Sequence, residues 1–540
     1  MHPRATFLLL IFFSFVLAAA SAPTQVILLP EMLAVELPAP ELKEIAPNAS
    51  PMKELLEAAR ADGFKVTHDR NDPLPLGRTV VTWTAWEGEA GNSAVRAKKS
   101  APVYVFPFGH VPVGISRDDH ATAGNHAPKI VRDARGKLHM AWLDGGPPRP
   151  GFRVMYRRAQ QDPMTGTIRW ETNPVRVSEP ASEAWNSYLA MEASEGAIHF
   201  AWQGPRSVHY RRLVGKENGW SFDPIRDSRA TGLSVDNGPD MAVRGDDEIH
   251  LLTASGRYAI SKDGGSSWTL DQVPRTPGGD MKNPALAVDK DGIAHIVFIA
   301  TIRNAKWSTS KPNAGYWELR YVRRLPGSGW VDEQNVLAAF PQWADPHNEW
   351  DVLTDWPDIA VDRNNHIHVV WHGTSNTHIF GNDEAFYSRR PAESKGVWGK
   401  WGDPQSLFPV DPAKAEFFSF APSLSVDPQG DATIAVVFFD RSQGNHILDF
   451  DGRVLRNGVL QGGPIGITRL ARTDAVDDRR LQNALSAWFP TAAPRLFHDS
   501  NGRVWLDVLY TAATPERDNL AHIIVYARHE VTGALRQPEH

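Results

Sequence analysis

The sequence contains no cysteine among its 540 residues. Disulfides and thiolate chemistry are therefore excluded, and any metal site must use histidine, carboxylate or carbonyl ligands. Basic residues are not in excess: the formal net charge is −6, which indicates neither nucleic acid nor an anionic membrane as a partner. Tryptophan is abundant, with 19 residues, which suits either a β-rich core or a sugar-stacking surface.

Long apolar runs are scarce as well. The run from Phe7 to Leu17 follows a short positive start at His2 and Arg4, and small residues occupy positions 18 to 22. This run is shorter than the roughly 20 residues that a membrane span needs. The pattern predicts a signal peptide at residues 1–22 and a secreted or periplasmic protein without a membrane span.

Residues 23–110 differ in composition from the rest of the chain. They are Pro-rich at first, and they predict a helix over Met52–Ala61 and strands over Gly77–Trp86 and near Val103–Phe106. This stretch resembles the HYR module, an immunoglobulin-like domain of extracellular proteins. The resemblance implies a small β-sandwich accessory domain without chemistry. The resemblance rests on two sequence motifs, Pro75-Leu76-Gly77-x-Thr79-x-Val81-Thr82-Trp83-Thr84-Ala85 and Ala90-Gly91-Asn92-Ser93-Ala94.

An internal repeat dominates residues 115–540. Seven segments share one template, in which an apolar strand of period two, a polar turn and a second apolar strand follow each other. Their spacing of about 45 to 73 residues leaves room for four-stranded blades. The seven segments begin at Pro128, Tyr188, Pro239, Pro284, Pro357, Pro422 and Pro494.

One segment between strands, Ser261-Lys262-Asp263-Gly264-Gly265-Ser266-Ser267-Trp268, contains the full Ser-x-Asp-x-Gly-x-x-Trp word. With the repeat around it, this word resembles the Asp-box of the sialidase-like superfamily. The resemblance implies an all-β fold, a seven-bladed β-propeller with six blades as the alternative. We expect Asp263 to accept backbone N–H groups, Gly265 to take an unusual backbone angle and Trp268 to pack between strands.

Recurring residues are interpreted as scaffold. Five histidines lie eleven residues after a repeat start, a register that favours framework over metal ligands: His139, His199, His250, His295 and His368. The Asp-x-x-Gly turns lack the alternating acids of an EF-hand loop, so hairpin turns explain them better than calcium sites.

Non-repeated residues collect in the loops of the face opposite the Asp-box, where the resemblance places an active site. We expect carboxylate, His, Arg and Trp side chains there to bind an anionic or hydroxyl-rich ligand. The candidate catalytic residues are Asp119, His126, Arg303, His372, Arg441 and Tyr510. The candidate substrate-binding residues are His120, Arg206, His347 and Trp356.

Three functions remain open. The first is exo-sialidase-like hydrolysis, with Arg206, Arg303 and Arg441 as a carboxylate clamp and Tyr510 as nucleophile, although the family's early Arg-Ile-Pro word is absent. The second is uronate elimination, with His126 or His372 as base, Tyr510 as acid and an arginine as neutraliser. The third is a non-catalytic glycan- or protein-binding propeller.

The sequence assigns no definite cofactor and leaves the metal requirement open. His120, His347 and the nearby acids offer ligands for calcium or another divalent ion. We expect a monomer whose partner is a glycan.

Overall fold

The computed structural model describes five strands between Gln25 and Phe106 and most of the chain after residue 108. The described ranges are 109–118, 120–124, 126–145, 151–162, 168–171, 173–184, 188–205, 207–216, 219–226, 231, 233, 238–274, 279–303, 315–339, 354–374, 383–409, 418–440, 448–467, 486–513 and 522–535. The predicted signal peptide and the helix predicted over Met52–Ala61 lie outside the described residues.

The N-terminal strands form one antiparallel sheet, in the order Lys43–Ile45, Gln25–Leu28, Ala94–Phe106, Gly77–Glu87 and Lys65–His68. The two predicted strands are present as a hairpin, in which Gly77 pairs with Val105 and Glu87 with Ala94. The immunoglobulin-like assignment stays a prediction. The strands are β1 Gln25–Leu28, β2 Lys43–Ile45, β3 Lys65–His68, β4 Gly77–Glu87 and β5 Ala94–Phe106.

The next strand along the chain is β6 His110–Ser116, which belongs to the last blade. Blade 1 contains β7 Ile130–Arg132, β8 Leu138–Asp144, β9 Arg153–Gln161, β10 Ile168–Trp170 and β11 Val175–Arg176. Blade 2 contains β12 Leu189–Ala193, β13 Ala197–Gln203, β14 Val208–Lys216 and β15 Gly219–Phe222. Blade 3 contains β16 Pro239–Arg244, β17 Glu248–Thr253, β18 Arg257–Ser261 and β19 Thr269–Gln272.

Blade 4 contains β20 Gly279–Val288, β21 Ala294–Arg303, β22 Gly315–Leu325 and β23 Gly329–Ala339. Blade 5 contains β24 Thr354–Val361, β25 Ile367–Thr374, β26 Asp383–Arg390 and β29 Gln405–Ser406, with a small hairpin of β27 Ala392–Ser394 and β28 Val397–Trp398. Blade 6 contains β30 Phe418–Val426, β31 Ala432–Asp440, β32 Leu448–Arg456 and β33 Val459–Gln461.

Blade 7 contains β34 Ser486–Ala492, β35 Phe497–His498, β36 Val504–Ala513 and β37 His522–Glu530, with β6 as its outermost strand. A helix α1 follows at Thr532–Leu535, and one 3-10 turn lies at Pro180–Ser182. Among the described residues, no helix is long and apolar enough to cross a membrane.

The seven sheets are arranged as a ring, which confirms the predicted seven-bladed β-propeller. The innermost strands contact each other in chain order from β7 to β34, and β36 of blade 7 contacts β7 of blade 1. The ring is closed by β6, which pairs with β37 from His110 opposite Ala527 to Ser116 opposite His522. A strand from the start of the propeller thus completes the blade formed from its end.

Apolar residues of adjacent blades pack between the sheets. Trp142, Trp202 and Trp371, each three residues after a repeat histidine, are fully buried in second strands. An aromatic side chain of this size buries on the order of 200 Å², worth about 5 kcal/mol of transfer free energy. These three tryptophans therefore belong to the core.

The five repeat histidines form the predicted framework. Each Nδ1 is hydrogen-bonded to a buried tyrosine hydroxyl one strand over, for example His199 to Tyr210 at 2.7 Å and His368 to Tyr387 at 2.8 Å. In three of the blades the Nε2 faces the carboxylate of the first hairpin turn, as His295 faces Asp289 at 3.5 Å. Burial lowers the pKa of all five imidazoles and keeps them neutral.

Two predicted repeat starts need correction. In blade 2 strand pairing places Glu192 opposite His199, so Leu189, not Tyr188, occupies the proline position. In blade 7 the equivalent proline is Pro490, because the register of β34 shifts between Trp488 and Thr491. Pro494 lies in an insertion that separates β34 from β35, and the turn that follows at Asp499 is as predicted.

Candidate functional site

The two ends of the propeller can be told apart by one hydrogen bond. The amide of Gly264, in the turn after β18, donates to the carbonyl of Asp247 in the turn after β16, over 3.0 Å. Turns of the Ser261–Trp268 type and first hairpin turns therefore share one end, as predicted. The opposite end, where innermost strands begin and second strands end, is called the axial mouth below.

The Ser261–Trp268 turn has the expected internal bonds. Asp263 accepts the amide of Ser267 at 2.8 Å, and Gly265 has a φ of +87°. Trp268 packs edge-on against Tyr210 of blade 2, with ring centroids 5.3 Å apart. Hydrogen bonds from Ser267 and Ser261 hold the pKa of Asp263 at about 2. These contacts are all internal to the scaffold.

At the axial mouth, one position of every innermost strand forms a ring. It is the residue immediately before the proline that recurs in the repeat, or before Leu189 in blade 2. In blades 4 to 7 this residue lies in a β-bulge and has a φ between 41° and 48°, although it is not glycine. We call these seven residues the mouth ring; they are Ala127, Tyr188, Gly238, Asn283, Trp356, Ala421 and Phe489.

The mouth ring combines a fixed backbone with a variable side chain. Non-glycine residues avoid positive φ because Cβ then crowds the following carbonyl, and the same bulge in four blades shows that the fold imposes it. The scaffold therefore repeats the conformation, whereas the side chains differ from blade to blade. Variable side chains on a repeated frame mark this ring as the candidate site.

Blades 5 to 7 contribute an aromatic cluster to the mouth. Trp356 and Phe489 stack at 5.8 Å with 14° between their planes, across the small Ala421 of the blade between them. His120 also packs against Phe489, with ring centroids 4.6 Å apart, and its side chain is 41% exposed. Such partly exposed aromatic faces suit the apolar faces of sugar rings.

A histidine–tyrosine pair lies at blades 1 and 2. The rings of His126 and Tyr188 are 6.4 Å apart, and His126 directly precedes the ring member Ala127. Gly238 supports Tyr188 from blade 3: a Cβ there would come within 2.9 Å of the tyrosine ring, and the Gly238 amide donates to Gln203 at 3.0 Å. Glycine at this position allows the close approach that fixes Tyr188.

His126 is buried yet polar. Its exposure is 8%, and its Nδ1 has no hydrogen-bond partner within the described residues. Burial, with a smaller effect of the positive charge of Lys129, lowers the pKa of His126 to about 3. The imidazole is therefore neutral at physiological pH and can accept a proton.

The segment that carries His120 and His126 is anchored on both sides. Thr122 Oγ1 lies 2.8 Å from Thr511 Oγ1 in blade 7, and the carbonyl of Ala121 accepts the amide of Leu143 in blade 1 at 3.1 Å. The segment therefore crosses the seam where the ring closes. It brings the aromatic cluster and the His126–Tyr188 pair to the same mouth.

Three carboxyl groups lie deeper on the innermost strands, in blades 2, 3 and 5. They are Glu192, Asp240 and Asp358. The charges of Glu192 and Asp358 add to the effect of burial on the pKa of Asp240, and that of Glu192 adds to it for Asp358. Burial raises the pKa of Glu192 to about 7 and of Asp358 to about 8, and it raises that of Asp240 well above its usual range. Asp358 is therefore largely protonated at neutral pH, so it does not repel an anion at the mouth.

The remaining predicted residues divide into three groups. His372 is at the mouth, where its Nδ1 accepts the amide of Ala421 at 3.3 Å. Tyr510 is not at the mouth: it is fully buried in the core between blades 6 and 7, and its hydroxyl lies 2.9 Å from Nδ1 of His110. The side chains of Asp119, Arg206, Arg303, Arg441 and His347 lie outside the described residues.

Tyr188 and Phe489 were not predicted as site residues. Tyr188 was interpreted as a repeat start, although it was the only start that was not proline. Phe489 stands before a proline as Trp356 does, but the four-residue insertion after it obscured the match. The departure from the repeat was the available signal in both cases.

His120, His347 and the nearby acids were candidate ligands for a divalent ion. In the described part of the chain, no group of three or more His, Asp or Glu side chains is arranged to hold a metal ion. Of the two histidines, His120 lies 4.0 Å from Asp118, and His347 lies outside the described residues.

No known protein-family profile matches the chain, and no curated protein matches it in sequence. Solved structures similar to it include a PL25 polysaccharide lyase that acts as an ulvan lyase, 10% identical, covering 76% of this chain and 93% of its own, with a TM-score of 0.48. An α-L-arabinanase of Penicillium chrysogenum is 11% identical, with 78% and 98% covered and a TM-score of 0.35.

An α-L-arabinofuranosidase of Fusarium graminearum is also 11% identical, with 79% of this chain and 99% of its own covered and a TM-score of 0.35. These similar structures are all of carbohydrate-active enzymes. At such identities and TM-scores, the assignment of a function to this chain rests on its own residues.

Proposed function

We propose that this protein cleaves an acidic polysaccharide by β-elimination at the axial mouth, with His126 and Tyr188 as the proton-transferring pair. The observation that carries the proposal is the placement of these two side chains, 6.4 Å apart, at the mouth of the propeller. Both groups belong to the chemistry of uronate cleavage, which needs one base and one acid close together.

The reaction can be written for a 4-linked uronate. The neutral His126 accepts the proton from C5, and the electron pair of that C–H bond forms the C4–C5 double bond. The C4–O4 bond breaks, and Tyr188 donates its hydroxyl proton to the leaving oxygen. C5–H and C4–O4 are on adjacent carbons, so a base and an acid in contact with each other can serve both.

The low pKa of His126 is compatible with this role. An incoming uronate carboxylate adds a negative charge near a buried imidazole, which favours the protonated form and raises its pKa towards neutrality. The developing charge on the uronate needs a cation as well. Arg206, Arg303 and Arg441 remain the sequence-based predictions for that cation.

The test is incubation of the purified protein with alginate, polygalacturonate, ulvan and glycosaminoglycans, followed by ultraviolet absorbance of unsaturated uronate. We expect release from at least one substrate, and losses of about 10²- to 10⁴-fold in kcat for His126→Ala and Tyr188→Phe. Tyr321→Phe, in the framework of blade 4, is the matched control and should retain activity.

The alternative function is glycan binding without cleavage. The stacked Trp356 and Phe489 favour it, because an aromatic platform retains a sugar without any proton transfer. Retained binding on a glycan array with no unsaturated product from any substrate would replace the lyase proposal by this one. Release of sialic acid from a sialyl reporter would instead favour the hydrolase expected from the sialidase resemblance.

A further inference from the structure

The second residue inward on each innermost strand forms another ring, directly below the mouth ring. Its members bridge blades: Asp240 accepts the amide of Leu286 at 2.6 Å, and Asp358 accepts that of Leu424 at 2.8 Å. Ser423 accepts the amide of Ala492 at 3.1 Å in the same way. This bridging is a scaffold function that three of the blades share.

Lys129 occupies the same position in blade 1, but its side chain bonds within its own blade instead of bridging to the next one. Its side chain is fully buried, and Nζ donates to the carbonyls of Gly124 at 2.9 Å and Ala127 at 2.8 Å. The amide of Met191 in the next blade is instead accepted by the carbonyl of Pro128 at 2.8 Å. The lysine is therefore not needed as an inter-blade acceptor, and it is directed at the turn that holds His126.

We propose that Lys129 is the positioning residue of the mouth, which locks the 124–127 turn and so sets the place of the His126 ring against Tyr188. This inference rests on the proposed function for its catalytic meaning. The two carbonyls that Nζ binds flank His126 in sequence, and Gly124 within the turn has a φ of +86°. A turn fixed at both ends by one buried cation leaves the imidazole little freedom.

The charges around Lys129 fit this role. His126 is the neighbouring titratable group in the turn, and Asp240 from blade 3 is the carboxyl that attracts the ammonium, with Glu192 and Asp358 beyond it. Burial lowers the pKa of Lys129 to about 7, while Asp240 opposes that shift. A positive Lys129 also disfavours protonation of His126, so the lysine keeps the imidazole in its base form.

Two substitutions separate geometry from charge. Lys129→Met removes both the hydrogen bonds and the charge, whereas Lys129→Gln removes the charge and keeps a donor of similar length. Lys137→Gln is the control, since Lys137 pairs with Glu171 at the opposite end of blade 1. The readouts are amide hydrogen exchange of peptides covering residues 120–130, and deuterium exchange at the C2 carbon of His126 against pH, both by mass spectrometry.

We expect amide exchange in the turn to rise at least tenfold in Lys129→Met and to stay near the wild type in Lys129→Gln. The C2 exchange profile of His126 should move to higher pH in both variants and stay unchanged in Lys137→Gln. Unaltered amide exchange in the turn of Lys129→Met would overturn the proposal. Where Lys129→Met fails to fold, an unaltered C2 exchange profile of His126 in Lys129→Gln would overturn it. Neither readout needs a substrate, so a failure of the Lys129 proposal can be told apart from a failure of the lyase proposal.

Discussion

At the scale of single residues, repetition separates scaffold from site. His295 illustrates the scaffold: its ring is fully buried, Nδ1 is 2.7 Å from the hydroxyl of Tyr321, and the same pairing recurs in four other blades. His126 has no counterpart in the other blades, and its Nδ1 has no partner in the described part of the chain. The same residue type therefore serves as a brace in one place and as a candidate base in another.

The bracing role of His295 predicts a loss of stability on replacement. His295→Leu leaves the Tyr321 hydroxyl buried without its partner, so we expect the free energy of unfolding to fall by about 1–3 kcal/mol. Urea denaturation followed by tryptophan fluorescence measures this loss. The double variant His295→Leu/Tyr321→Phe is the control and should lose less than the sum of the two single losses, because it removes both partners of the hydrogen bond.

A metal-ligand role would give a different result for the same variant. Metal content, measured by plasma mass spectrometry, should be the same in His295→Leu and in the wild type. A stoichiometric loss of bound metal in the variant would contradict the interpretation of the repeat histidines as framework.

At the scale of elements, neighbouring blades are joined through side chains of the innermost strands. Asp358 accepts two amides, its own neighbour Ile359 and Leu424 of the next blade, both at 2.8 Å. Its burial outweighs these bonds and raises its pKa to about 8. Ser423 makes the equivalent link with a group that does not titrate.

This difference predicts how stability depends on pH. Because the pKa of Asp358 is higher in the folded than in the unfolded chain, where it is about 4, folding takes up a proton between these values. The stabilising contribution is complete below about pH 4 and is lost as the pH rises to about 8. We expect the wild type to lose at least about 1 kcal/mol more than Asp358→Asn between pH 5 and pH 8.

The measurement is the urea midpoint of each variant at a series of pH values. Ser423→Ala is the control: it should cost about 1–2 kcal/mol at every pH, since it removes an acceptor without removing a titrating group. Parallel pH profiles of the wild type and Asp358→Asn would show that Asp358 is ionised in the folded protein.

At the scale of the whole molecule, ring closure joins the first strand of the propeller domain to its last blade. Strand β6 provides Val111 and Val113, 4% and 0% exposed, to the core that blade 7 shares with blade 1. Each such side chain is worth about 1.5–3 kcal/mol of burial. The residues that immediately follow β6 lead to His120 and His126, so closure and site formation depend on the same segment.

Closure predicts opposite outcomes for two truncations. A chain of residues 108–540 keeps β6, and it should unfold in one cooperative transition near that of the full chain. A chain of residues 118–540 lacks β6 and leaves the edge of β37 open, so we expect a lower melting temperature and aggregation. Differential scanning calorimetry with light scattering compares them. Equal melting temperatures for the two truncated chains would contradict this role of β6.

The fold was predictable because its signals are local and repeated. Period-two strands, turns with Asp and Gly, and one intact Ser-x-Asp-x-Gly-x-x-Trp motif each constrain a few residues, and repetition along the chain predicted a propeller with seven blades, or six as the alternative. The two misplaced starts, at Tyr188 and Pro494, arose where one blade has a shorter hairpin and another an insertion. A change of one residue in register is invisible in composition, but backbone pairing is sensitive to it.

The site was predictable only in part, because its members are far apart in the chain. The sequence alone determined that His120, His126, Trp356 and His372 depart from the repeat and belong to one end of the propeller. Only the tertiary structure brought Trp356 onto Phe489 and His126 onto Tyr188, and only it buried Tyr510 in the core. The physical reason is that a repeat specifies which end of a blade a residue occupies, whereas contacts across the axis depend on how seven blades close.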